Sequence, residues 1–112
     1  MLEMSFLILN KEKVHIEEER LEKIVDILKK FGARKIAVFG SRVRGDFSED
    51  SDIDLLVEFD EKSKDLGWRF YEIPYTIAEA IGLKVDLVTF DTVDPYIRPF
   101  IMNEIVVIYD EK

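Results

Sequence analysis

The stretch FGSRVRGDFSEDSDIDLLVEF, residues 39–59, decides how this chain is read. Its second half, residues 51–59, alternates like a half-buried strand. Ile53, Leu55, Val57 and Phe59 fall on one side, and Asp52, Asp54, Leu56 and Glu58 on the other. Asp52 and Asp54 are two positions apart, so a strand points both carboxylates to one face, with Cα atoms roughly 6.5–7 Å apart. Carboxylates so placed can converge on divalent cations, and a pair of ions about 3.5–4 Å apart can clamp a triphosphate. Oxygen ligands select magnesium or manganese over zinc. The plain alternative is a solvent-facing strand surface, where acidic residues are ordinary.

Upstream, residues 35–40 (KIAVFG) read as a short buried strand that ends on Gly40 and Ser41. Glycine lets the backbone approach a ligand closely, and the N–H groups at a helix start, with the Ser41 hydroxyl, point at an anion. A serine there also serves as an ordinary helix N-cap. Arg42 and Arg44 follow, placed either to bind phosphate oxygens or to form salt bridges with Asp46, Glu49 or Asp50. Ten residues, Arg42 to Ser51, separate the Gly-Ser pair from the Asp pair, enough for a short turn-helix and a return to the sheet.

Working outward, Leu21, Ile24, Val25, Leu28 and Phe31 recur at helical spacing from Ile16, and Gly32 supplies the stop. A second helix is expected from Asp65 to Ala80, divided or kinked at Pro74, with Leu66, Phe70, Ile73, Ile77 and Ile81 inward. Beside that stripe lie Trp68, Tyr71, Tyr75 and Ala78, favoured as core with polar tips at the rim; a docking surface is the other reading. Residues 84–90 (KVDLVTF) form a third strand carrying Asp86. Asp94 and Pro95 look like the N-cap and first position of a short helix running to about Asn103, and residues 105–109 (IVVIY) are a last strand. Residues 1–10 fit an arm or an extra strand. The result is one α/β domain, residues 1–112, a small mixed sheet flanked by helices.

The chain has 112 residues, 47% of them hydrophobic, which suits a single core. Its net charge of −8 disfavours a long nucleic acid, whose binding relies on Lys and Arg neutralising phosphates, and suits a basic protein partner. There is no cysteine, and His15 is the only histidine, which excludes disulfides, thiolate chemistry and a His-rich zinc site. No run approaches membrane-spanning length and no leader is legible, so the expected location is the cytoplasm. The charged fraction of 36%, with no Gln and only Asn10 and Asn103, leans towards a heat-adapted source.

Gly40-Ser41, ten residues, then Asp52-Ile53-Asp54 resembles the signature of the DNA polymerase β-type nucleotidyltransferases, and most nearly their minimal nucleotidyltransferase (MNT) members. The resemblance implies a palm-like fold. It implies that Gly40 and Ser41 hold the β- and γ-phosphates of ATP, and that Asp52 and Asp54 bind two magnesium ions, with manganese possible. Asp86 stands where the third carboxylate is expected. It further implies transfer of AMP to a hydroxyl, in such members often a tyrosine of a HEPN-domain toxin that the MNT protein restrains as antitoxin. An antitoxin that merely masks its toxin, and a small-molecule acceptor such as an aminoglycoside, are the alternatives.

A calcium loop competes for the same residues. Asp50, Asp52, Asp54 and Glu61 match positions 1, 3, 5 and 12, but Leu55 stands where a glycine must turn the chain, and the alternation from Ile53 demands an extended backbone.

Overall fold

The structure is a computed structural model and describes residues 8–61 and 66–111. Expectations for residues 1–7, and the first residue of the helix expected from Asp65, lie outside the described residues. Four strands form one mixed sheet in the order β3-β2-β1-β4: β1 (Ala33–Phe39), β2 (Ile53–Phe59), β3 (Val85–Thr89) and β4 (Val106–Asp110). β1 is antiparallel to both β2 and β4, while β2 and β3 run parallel. All four strands read from the sequence are present, and the extended course of residues 53–59 removes the calcium loop.

One face of the sheet is covered by α1 (Glu18–Lys30) and α3 (Ile73–Ile81). Leu21, Ile24, Val25 and Leu28 of α1 are completely buried, and each such side chain contributes roughly 1.5–3 kcal/mol of burial. They pack with Ile73, Ile77 and Ile81 on Ile36 and Val38 of β1 and on Ile53, Leu55 and Val57, the odd-numbered side of β2. Gly32 and Gly82, at φ +97° and +79°, end the two helices in the left-handed region. Pro74 divides the second helical region rather than kinking it. A 3-10 segment (Gly67–Glu72) precedes α3, and Pro74 sits in the first turn of α3, where its missing N–H costs no hydrogen bond.

The aromatic stripe departs from the core reading. Trp68, Tyr71 and Tyr75 are 73%, 71% and 78% exposed. Their flank of the 3-10 segment and α3 points away from the sheet, because Ile73 and Ile77 already fill the inward face.

The other face of the sheet splits in two. Over one half, α4 (Arg98–Glu104) and the preceding loop close a second small core of Ala37, Leu56 and Val93, with Ile101 and Ile105 packed on it. α4 begins later than Asp94 and Pro95 suggest. The Asp94 carboxylate accepts the Tyr96 N–H at 2.8 Å and its carbonyl accepts from Ile97 and Arg98, so it caps an isolated turn before the helix starts. The other half of this face, at the beginnings of β2 and β3 and the end of β1, is acidic.

Candidate active site

Three chain segments meet at that acidic edge. β1 delivers Gly40, β2 delivers Asp54, and β3 delivers Asp86. Asp54 pairs in register with Phe39 on one side and with Asp86 on the other. Neighbouring strands are about 4.8 Å apart, so the parallel register sets the Asp54 and Asp86 side chains next to each other on one face. The start of this arrangement is anchored by the Ile53 N–H, which donates to the Lys84 carbonyl at 3.0 Å.

Gly40 has a specific reason to be glycine. Its φ of +83° and ψ of −155° fall in a region open essentially to glycine alone. A Cβ there would overlap the Asp54 Oδ2 and lie 3.1 Å from its Cγ. The backbone of the turn therefore rests directly against the Asp54 carboxylate. Ser41 begins the single-turn helix α2 (Ser41–Arg44), closed by Gly45 at φ +95°.

Burial first, and then the charges of Asp86 and Asp52, together push the Asp54 carboxyl up to about 6, with the Arg44 guanidinium opposing them. Asp52 is close enough to act on Asp54, yet it precedes the first residue of β2, so strand alternation does not fix its direction. The expectation that both aspartates ride on the strand is corrected to that extent. Among the described residues no three His, Cys, Asp or Glu side chains stand converged as a ready cage for an ion. The donor set is nonetheless oxygen-only, and it carries an excess of negative charge centred on Asp54, which fits a divalent cation of the magnesium class.

The two arginines divide. Arg44 is exposed and points into the site, with Nη1 donating to Glu104 Oε1 at 3.0 Å and Nε to Asp46 Oδ2 at 3.2 Å. Arg42 does not reach it. It is 3% exposed and donates to the carbonyls of His15, Ser48, Glu49 and Ser51 at 3.1–3.4 Å. Phe47 stacks beneath its guanidinium at 4.7 Å. Both readings of Arg42, as a phosphate ligand and as a salt-bridge partner, are thereby corrected: it ties down the loop that delivers Asp52. Helical geometry offered a signal, since residues two apart on one turn point about 200° apart and cannot both face one ligand.

Glu104 went unnoticed in the sequence. From the last residue of α4 its Oε2 accepts the Gly40 N–H at 2.6 Å while Oε1 accepts from Arg44. It lies 64 residues from Gly40, and no local pattern marks it. A concavity of about 670 Å³ lies elsewhere, towards the far ends of β2 and β3 near Phe59, Thr89 and Arg98.

The nucleotidyltransferase domain profile matches residues 21–108, from within α1 into β4. The chain belongs to the nucleotidyltransferase domain family. Among relatives of this family, protein adenylyltransferase MntA of Thermococcus cleftensis is 40% identical over 93 residues, covering 79% of this chain and 92% of the relative. A solved minimal nucleotidyltransferase is 31% identical with a TM-score of 0.64, covering 82% of this chain and 96% of that one. A chain of the solved complex of tri-AMPylated Shewanella oneidensis HEPN toxin with MNT antitoxin matches with a TM-score of 0.58 over 85% of this chain and 73% of its own. At 19% identity that last likeness speaks for the fold alone. The mixed sheet and flanking helices are thus those of a minimal nucleotidyltransferase. No described helix is long and apolar enough to cross a membrane.

Proposed function

We propose that this chain transfers AMP from ATP to a hydroxyl on a protein, and that the acceptor is a tyrosine of a HEPN-domain toxin which the transfer silences. The observation that carries the reading is the junction of Asp54 and Asp86 on parallel strands, with the Gly40 backbone pressed against the Asp54 carboxylate. The naming of a relative at 40% identity as a protein adenylyltransferase supports the reaction, and the HEPN toxin bound by a fold neighbour supports the partner.

In this reading Gly40 and Ser41 hold the β- and γ-phosphates, and Arg44 contributes a charged donor to them. Asp52, Asp54 and Asp86 hold the magnesium ions, which when bound offset the triphosphate charge and stabilise the attacking and leaving oxygens. Asp86, the most exposed of the three, orients the acceptor hydroxyl and takes its proton. The hydroxyl oxygen forms a bond to the α-phosphorus, the bond from that phosphorus to the bridging oxygen breaks, and pyrophosphate leaves. Positioning and charge neutralisation provide most of the acceleration.

The test is to incubate the chain with the product of its neighbouring gene, ATP and magnesium, and to weigh that product. Mass gained in whole AMP units supports transfer. An inhibited but unmodified partner means masking; in a parallel incubation with an aminoglycoside added, a modified aminoglycoside with an untouched protein means a small-molecule acceptor.

A further inference from the structure

The donors assigned to the triphosphate already hold an anion from the chain itself. The Glu104 carboxylate takes the Gly40 N–H through one oxygen and the Arg44 guanidinium through the other, at 2.6 and 3.0 Å. Its side chain is 22% exposed, so the contact is sheltered rather than a loose surface pair. We propose that Glu104 is a built-in competitor for the phosphate donors: it holds Gly40 and Arg44 in place while the site is free, and nucleotide must displace it from both to bind through them. This rests on Gly40 and Arg44 being phosphate donors.

Two observations favour displacement over a permanent role alongside the nucleotide. A single N–H cannot donate a short, straight bond to both a carboxylate and a phosphate. And a carboxylate left in that place would face a triphosphate across a few ångströms, while Asp52, Asp54 and Asp86 already crowd the same edge with negative charge. The position of Glu104 at the end of α4 gives it a way out. Its backbone is fixed by the Ile105 N–H bond to the Ile101 carbonyl at 3.0 Å, so only the side chain has to swing.

The sign of the mutational effect separates a competitor from a positioning residue. The full chain and its Glu104→Ala and Glu104→Gln variants would be titrated calorimetrically with magnesium and α,β-methylene-ATP, which cannot release AMP. A competitor predicts binding about tenfold tighter in Glu104→Ala and an intermediate gain in Glu104→Gln, which keeps one acceptor oxygen but loses the charge. Unchanged or weaker binding in both variants overturns the proposal while leaving the phosphate site standing. No binding even by the unaltered chain overturns both. A second readout needs no variant: the Glu104 carboxyl carbon and the Gly40 amide, followed by NMR, should both shift as the unaltered chain is saturated. A Glu104 resonance that stays put while Gly40 moves refutes displacement.

Discussion

Replacing Asp54 by Asn should remove activity and at the same time make the metal-free fold firmer. Asp54 titrates near 6 instead of 3.8 because burial and the charges of Asp86 and Asp52 penalise its ionised form. In full, that gap corresponds to about 3 kcal/mol of native-state destabilisation at neutral pH. Asp54 is only half-buried, and solvent screening reduces the figure to about 1 kcal/mol. The direction follows from proton counts. Between pH 3.8 and 6 the folded chain keeps a proton on Asp54 that the unfolded chain has lost, so stability falls as pH rises through that window. Above it the penalty is complete. With EDTA present at pH 7.5, the Asp54→Asn chain should therefore melt about 4 °C higher than the unaltered one by calorimetry. The advantage should shrink to about half by pH 5. Saturating magnesium should reverse the order, since the unaltered chain gains binding energy that the variant lacks. A variant that melts lower at pH 7.5 in EDTA would refute the reasoning, as would a gain with no dependence on pH. Either result would mean that Asp54 supports the fold and is not a crowded charge held for a ligand.

Gly40→Ala should lower transfer at least about a hundredfold and destabilise the chain by about 1–3 kcal/mol, because the new methyl group collides with the Asp54 carboxylate at a strained φ; initial rates and thermal melts report the two effects separately. Arg42→Met should cost about 3 kcal/mol, since four carbonyls lose a charged donor together, and limited proteolysis should then cut within residues 46–51. Arg44→Ala should change the melting temperature little, as its own side chain is half exposed, yet raise the Kd for magnesium–ATP about tenfold or more; equal effects on both would contradict its placement in the site. Trp68→Ala should alter stability by less than about 0.5 kcal/mol in urea titration, the value expected of a surface position and not of a core aromatic.

What the sequence made legible is what the backbone period and local chemistry control. The alternation through Ile53, Leu55, Val57 and Phe59 forces one face of β2 inward, which leaves Asp54 on the other. Gly40 is readable because it ends a buried strand and opens a turn. Asp86 is readable because the Val-Asp-Leu-Val pattern places it between two inward residues, and the parallel register then sets it opposite Asp54. The readings that changed needed three-dimensional information. Asp94 and Pro95 carry a sound capping signal, but the chain satisfies it with a turn before α4. Trp68, Tyr71 and Tyr75 have an apolar stripe's spacing, and nothing local says that Ile73 and Ile77 already fill the only inward face.

Arg42 and Glu104 show why a site is harder to read than a fold. A spacing motif marks which residues come to one place, while hydrogen-bond partners decide what each does there. Arg42 sits within the motif and serves the loop. Glu104 sits far outside it and serves the turn. Both act on the same strip of backbone from opposite ends: Arg42 fixes residues 48–51 ahead of Asp52, and Glu104 fixes Gly40 behind β1. The acidic edge is thus held together against its own repulsion by two ties to the backbone, the buried Arg42 on the loop before Asp52 and the sheltered Glu104 carboxylate on Gly40. Only the Glu104 tie has to break for a phosphate to enter. That asymmetry predicts distinct signatures for the two losses, a melted loop without Arg42 and a firmer grip on nucleotide without Glu104.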